Sequence, residues 1–462
     1  MNGLLVVAAL ARGGLMAELE EAGAAEAPIV VRIDVEGARG LVDLVRSRVP
    51  SFLRGGFDDQ VASIGASLGG DPFTPDGWKQ LGLDPKRSVV IAIGRSNASM
   101  AGIRAVVPVA DPARAAQTIV RAQALAPALR FGAPGRGKTL TIDLVAPTDA
   151  GDAGDGSALF TPVPPKKLDA LLGPEPIAIL IKPQRLAETM QRLRGRDPTE
   201  LAPVAGILGF PLGDLAATIS IRNAILTVHA RWEVAPKSAL SRALATTIDS
   251  GLPRPADTPD AALHVHSYVA PRELAALDPT HMTFDLPSSP YFPAGGLYPL
   301  LQIMAWPYSI GATIAHVNSA DARAKPIFDG LRDAVLVVQT IGDDLDHTSA
   351  AFEIALDRTA FDELRVLITK VWGAAPGLVD HGRIRPFARG TSLGVAIQDS
   401  GPAYLAIVRH APAPPKDLVF EAHAAPAALA LLSPLAVFAG ALDLSARWDG
   451  HAIAIDATLS PP

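Results

Sequence analysis

The feature that most constrains the fold of this chain is an internal repetition. A pattern of one strand followed by one helix occurs four times, at residues 28–45, 175–193, 262–277 and 418–432. A pattern of two consecutive strands follows each occurrence, at residues 88–110, 214–234, 333–356 and 441–459. The first and third copies, and the second and fourth, are separated by roughly 230 to 245 residues, a fixed period that indicates duplication of an ancestral block.

The repetition and the chain length together predict two homologous halves. A chain of 462 residues is longer than one ordinary hydrophobic core supports. We predict an N-terminal segment at residues 1–27, a first half at 28–252 and a second half at 260–462. The stretch between the halves, residues 253–259, reads PRPADTP and has the proline-rich composition of a linker.

The strands alternate between apolar and polar residues. In residues 224–234, Leu226, Val228 and Trp232 fall on one side, whereas polar residues fall on the other. One buried and one wet face favour an antiparallel sheet. Asp449 and Gly450 form a tight hairpin signal between the last two strands. The fold class predicted is therefore α+β, with two tandem homologous halves, each with an antiparallel sheet built from strand–helix and hairpin–helix units.

Composition excludes several function classes. The net charge of −6 and the absence of a basic stripe argue against a nucleic-acid partner. The chain has no cysteine, so it has no disulfide, no thiol nucleophile and no cysteine-ligated zinc. We expect no cofactor and no metal.

Two apolar stretches bear on membranes and export. Residues 4–10 resemble the core of an export signal but lack a preceding basic residue, so a degenerate signal and a plain helix start both stay open. Residues 286–320 carry no charged side chain, but five prolines interrupt them. Interior prolines break a spanning helix. We therefore predict no transmembrane span, and a proline-punctuated loop leading into a short buried helix at 297–306.

Residues 132–139 read GAPGRGKT and fit the phosphate-binding G-x-x-x-x-G-K-[ST] pattern. A phosphate-binding loop is followed by a helix, however, and the residues after Thr139 alternate as a strand does. The glycines are therefore interpreted as a hairpin turn, and a nucleotide- or metal-dependent enzyme using this loop is kept as an alternative.

Residues 65–69, GASLG, fit the G-x-S-x-G pattern of a nucleophile elbow. The elbow needs a strand before the serine and a helix after it. Here a helix precedes the serine and Asp71-Pro72 follows, so we predict the glycine-capped end of a helix.

His264 and His266 are two residues apart on a predicted strand, so both rings point to the same face, as a metal site requires. The residue that corresponds to His266 in the fourth repeat is Glu421, and this favours a solvated strand face instead. Asp149, Asp152 and Asp155, and the cluster Asp343, Asp344, Asp346 and His347, are interpreted as a soluble linker and a turn.

Residues 69–87 read GGDPFTPDGWKQLGLDPKR and precede a strand. Asp71-Pro72 and Thr74-Pro75 predict rigid turns, residues 77–81 a one-turn helix and Gly82 its end. This phrase resembles a bacterial domain-of-unknown-function family of high-GC genomes, whose members often carry an export signal. The resemblance covers about 25 residues and implies no catalytic residues; it implies a cell-envelope or periplasmic location.

The leading hypothesis is a non-enzymatic envelope or exported protein that binds or scaffolds an apolar small molecule or a protein partner. The ligand-binding candidates are aromatic and aliphatic side chains of the uncharged segment: Tyr291, Phe292, Leu297, Tyr298, Ile303, Trp306 and Tyr308. A self-assembling structural protein is the second alternative to an enzyme.

Overall fold

The computed structural model describes residues 15, 18–49, 51–96, 101–126, 129–132, 138–144, 171, 173–182, 185, 212–246, 252, 254, 258, 260–269, 325–341, 348–374, 384–397, 415–432 and 440–461. The fold is α+β and is built from antiparallel sheet with helices, as predicted. The chain divides into two compact units, Met1–Trp232 and Glu233–Pro462.

Strands of the first unit lie in the order β4-β5-β3-β2-β1-β6-β7-β8. Their ranges are β1 Ile29–Ile33, β2 Val89–Ser96, β3 Ala101–Pro108, β4 Leu129–Phe131, β5 Thr139–Leu144, β6 Ile177–Ile181, β7 Leu212–Arg222 and β8 Ile225–Val234. Asn223 and Ala224, which join β7 to β8, both have positive φ, as a two-residue hairpin requires. The strand predicted at 224–234 is thereby confirmed.

Helices of the first unit are α1 Val35–Arg48, α2 Ser51–Leu68, α3 Pro75–Gln80 and α4 Pro112–Leu125. Asp34 caps α1 by accepting a hydrogen bond from the Gly37 amide, and Asp111 caps α4 in the same way. Helix α1 approaches the sheet closely at Gly37, where a Cβ atom would lie 2.7 Å from Ile177.

Strands of the second unit lie in the order β12-β13-β11-β10-β9-β14-β15-β16. Their ranges are β9 Leu263–Ser267, β10 Leu331–Thr340, β11 Ser349–Leu356, β12 Ile384–Arg389, β13 Ser392–Ile397, β14 Leu418–Ala424, β15 Leu442–Trp448 and β16 Ala452–Leu459. The helices that follow α4 are α5 Ala239–Leu244, α6 Lys325–Asp329, α7 Arg358–Ala374 and α8 Pro426–Leu432. The β15–β16 hairpin turns at Asp449 and Gly450, as predicted, with Gly450 at a φ of 96°.

In each unit, the segment before the first strand covers one face of the sheet. We call residues 18–27 the first leading segment, and residues 252, 254, 258, 260 and 261 the second. Leu19 of the first is buried against Val30 and Val90. Leu252 and Ala261 of the second pack against Val335 and Val337. Successive residues of a strand point to opposite faces of the sheet. Helices α1 and α7 pack against strand residues that alternate with those packed against the leading segments. The leading segments therefore lie on the face away from these helices.

The conformation of residues 71–82 agrees with its sequence-based prediction, except that the helix begins at Pro75, earlier than expected. Thr74 caps α3 by accepting a hydrogen bond from the Gly77 amide at 3.2 Å. The Trp78 indole donates to the Pro72 carbonyl at 2.7 Å, and Gly82 ends the turn at a φ of 81°.

We expect Thr74→Ala to lower the free energy of unfolding by about 1 kcal/mol, because one amide of the first helical turn loses its acceptor. Urea unfolding of the purified chain measures the change. Thr74→Ser keeps the hydroxyl and serves as the matched control. Equal losses in both variants would contradict the capping role.

Candidate interaction surface

Helix α2 is the most solvent-exposed apolar element among the residues that the structure describes. Phe52, Leu53 and Ile64 are 82%, 53% and 41% exposed, and Gly65 is the one residue of the helix that is buried. An 18-residue helix with so little burial differs from the usual amphipathic helix, which turns an apolar stripe towards a core. Exposed apolar side chains grouped in this way mark interaction sites.

Helix α2 carries a stripe, three members of which are exposed and one of which, Phe57, is half-buried. We call this stripe the seam: Leu53, Phe57, Gln60 and Ile64. Its spacing of four, three and four residues keeps all members on one side of a helix that turns about 100° per residue. Residues beside the seam are small and exposed, at Gly56, Ser63 and Ser67. The charged residues of α2 are Arg54, Asp58 and Asp59, and this periodicity places all three outside the seam.

Contacts with α1 and α4 fix the position of α2. Asp58 forms an ion pair with Arg46 of α1 at 2.7 Å. The carbonyl of Leu68 accepts a hydrogen bond from Arg121 of α4 at 3.0 Å. Asp58 lies on the side of α2 opposite the seam, whereas the Leu68 contact lies at the C-terminal end of the helix, four residues after Ile64. The two contacts hold the helix in place and leave Leu53, Gln60 and Ile64 exposed.

A cleft of about 650 Å³ separates α2 from α1 and the start of α3. Its α2 wall combines the small residues Ala62, Gly65 and Ala66 with Asp58 and Val61. The ion pair between Arg46 and Asp58 also lines the cleft. The cleft therefore lies along the C-terminal half of α2, on the side opposite the seam.

The ligand-binding candidates from the sequence lie outside the described residues. They are Tyr291, Phe292, Leu297, Tyr298, Ile303, Trp306 and Tyr308, and the helix predicted at 297–306 falls in the same gap. The apolar run at residues 4–10, Asp149, Asp152, Asp155 and the cluster at 343–347 also lie outside. These predictions stay predictions.

A strand follows the G-x-x-x-x-G-K-[ST] motif in the structure. Thr139 begins β5, which pairs with β4 on the other side of the motif. Gly132 donates its amide hydrogen to the Thr141 carbonyl at 2.8 Å, as a residue beside a hairpin turn does. The helix whose N-terminus would bind a phosphate is replaced by an edge of antiparallel sheet.

Gly65 to Gly69 form the C-terminal end of α2, as predicted. Gly69 has a φ of 86°, and the amides of Gly69 and Gly70 both donate to the Gly65 carbonyl. This is a glycine-capped helix end. Ser67 lies within the helix, so the strand–serine–helix order of a nucleophile elbow is absent here.

The prediction of a solvated face for His264 and His266 is wrong. Both rings are buried on β9, and His266 bonds Asp333 through Nε2 at 2.9 Å. His264 lies within hydrogen-bond distance of Thr258 in the second leading segment. Paired positions share a face of the sheet, and His266 pairs with Val335, which the second leading segment covers.

A second polar group lies beside these histidines. Arg254 of the second leading segment donates two hydrogen bonds to Glu421, at 2.7 and 3.0 Å. The Tyr268 hydroxyl donates to the same carboxylate at 2.8 Å. Burial and the nearby Glu421 charge raise the pKa of Tyr268 far above its usual range. This network attaches the second leading segment to the sheet.

Within the described ranges, no group of three or more His, Asp or Glu side chains could hold a metal ion. The described helices also include none that is both long and apolar enough to cross a membrane. Comparison with protein-family models, with curated proteins and with solved structures finds no match. The geometry of α2 is therefore the observation from which function is argued.

Proposed function

We propose that the protein is a non-enzymatic binding or scaffold protein that docks a helix of a protein partner onto the seam of α2. The observation that carries the proposal is the exposure of Leu53, Gln60 and Ile64 along the seam, on a helix that polar contacts tie to α1 and α4. Helix-on-helix recognition uses apolar side chains at this spacing. A protein partner fits better than an apolar small molecule, because the seam is a convex helix surface rather than an enclosed pocket.

The competing enzyme hypothesis has less support. The glycine-rich loop at 132–139 precedes a strand, and the buried histidines bond Asp333 and Thr258 within the sheet. A scaffold built from repeated units agrees better with the strand order, which is the same in both units when strands are numbered from the start of each unit.

We also propose that the two units descend from one duplicated block. Hydrogen bonds at corresponding positions of the two units support this proposal, and they are separated by about the repeat period seen in the sequence. The Lys182 amide donates to the Pro28 carbonyl, as that of Ala425 donates to Ala262. Likewise, the Asp111 amide donates to Gly82, and that of Asp357 donates to Gly330.

A photo-crosslinking amino acid in place of Phe52 tests the docking surface in the cells that make the protein. We expect discrete covalent adducts at this position, because its side chain is 82% exposed beside the seam. The added change Ile64→Asp should abolish them, since a charged group would be buried in the contact. Peptide mass spectrometry identifies the adducts.

Val366 of α7, 51% exposed, is the control position for the same crosslinker. Adducts that form equally from Val366, or that persist with Ile64→Asp, would show that proteins reach α2 without specific docking. The absence of any adduct from position 52 would overturn the proposed function.

A further inference from the structure

We infer that the partner helix is α2 of a second copy of this chain, lying antiparallel along the seam. This inference rests on the proposed function, because it names the partner of the same surface. Two identical helices can form a symmetric contact only if the surface is complementary to itself. The seam of α2 has this property.

Antiparallel pairing brings unlike positions of the seam together. With the twofold axis midway between Phe57 and Gln60, Leu53 of one copy meets Ile64 of the other, and Phe57 meets Gln60. Apolar side chains therefore pack at both ends of the contact. The polar Gln60 side chains lie near the axis, where the two amides can bond each other and fix the register.

Charge and size also favour a second copy as the partner. A symmetric pair places like charges near each other wherever a charged residue faces the partner, and the seam contains none. Gly56 has nothing within 4 Å of its Cβ position, and Ser63 and Ser67 are small. The two backbones can therefore approach closely, as small residues beside a helix contact allow.

The contact is limited to one helix per copy. An 18-residue helix is about 27 Å long, so the paired surface is at the small end of specific interfaces. We expect a reversible dimer with a dissociation constant on the order of 10 μM, weaker than that of an obligate dimer.

Sedimentation velocity of the purified full chain, from about 1 to 100 μM, brackets this dissociation constant. The mass should rise from the 48.0 kDa of one chain towards twice that value. Ile64→Asp should weaken dimerisation at least tenfold, because the carboxylate would be desolvated at the contact. Val366→Asp, an equal change on an exposed residue of α7, should leave it unchanged. Thermal unfolding confirms that both variants are folded.

Disulfide crosslinking tests the relative orientation of the two α2 helices. The chain has no cysteine, so only the introduced residues can form the crosslink. In the antiparallel pair, Leu53→Cys should crosslink with Ile64→Cys when the two are mixed. Neither variant should crosslink efficiently alone, since two copies of the same position lie about 16 Å apart along the helices, beyond disulfide reach.

Three results separate the outcomes. A wild-type chain that stays at 48.0 kDa at 100 μM, or crosslinks of Leu53→Cys with itself, overturns the antiparallel dimer. If the purified chain is monomeric and the adducts from position 52 contain a different protein, the second copy is overturned as the partner. The docking function then remains intact. A monomer without adducts overturns both.

Discussion

We expect His266→Leu to lower the free energy of unfolding by about 3 kcal/mol, because it leaves the buried Asp333 carboxyl without its hydrogen bond to this ring. Both side chains are 1% exposed, and the bond joins β9 to β10 across the sheet. Leucine has a similar volume, so the loss reports mainly the missing polar contact. Urea unfolding of the full chain, followed by circular dichroism, measures the change.

Two variants separate this contact from general disturbance of the sheet. His423→Leu removes a histidine whose bond to Asp443, at 2.7 Å, lies at the surface, and it should cost less than about 1 kcal/mol. The double variant His266→Leu, Asp333→Leu should recover much of the loss, since both polar groups then leave the interior. Equal effects at His266 and His423 would contradict the role assigned to the buried pair.

The sequence predicted those elements whose pattern is local. The β7–β8 and β15–β16 hairpins follow from period-two alternation around short turns. Helices α4 and α7 begin directly after Asp111 and Asp357, which cap them. Each of these signals lies within a few residues of the structure that it specifies.

The buried face of β9 could not be predicted in this way. Its polar residues look like a wet face, and the repeat comparison with Glu421 reinforced that interpretation. Burial depends on the second leading segment, which covers the row containing His266 and Val335 and supplies Thr258 and Arg254 as partners. A long-range covering segment leaves no trace in the alternation of the strand that it covers.

The exposure of α2 was missed for the converse reason. An apolar helix reads as a core helix, and only the packing reveals that Phe52, Leu53 and Ile64 are exposed. The signal that could have indicated a helix contact is the spacing of Leu53, Phe57, Gln60 and Ile64, which keeps all charged residues outside one stripe.

The first leading segment carries a buried acid that makes the stability of the protein depend on pH. Glu18 is buried and forms an ion pair with Arg87 at 2.5 Å. Burial raises the pKa of Glu18 from 4.5 to about 7, although Arg87 acts in the opposite direction. On the same segment, the carbonyls of Ala24 and Ala25 each accept a hydrogen bond from Lys182 at 2.7 Å. Burial lowers the pKa of Lys182 to about 8.

We expect the wild type to lose about 3 kcal/mol of unfolding free energy relative to Glu18→Gln between pH 4.5 and 7. A folded-state pKa above the unfolded value means that the contribution of Glu18 is full below pH 4.5 and disappears as the pH rises through 7. The lowered pKa of Lys182 acts oppositely, since its contribution is lost as the pH falls through 8. Between pH 7 and 8 both buried groups therefore carry their charge, and each then lowers the free energy of unfolding. The first leading segment is held least tightly in this interval.

Urea unfolding of the wild type and of Glu18→Gln from pH 4.5 to 7 measures the difference, and carboxyl-carbon NMR of Glu18 should show a midpoint near 7. A midpoint near 4.5, with parallel stability curves for the two proteins, would contradict the assignment.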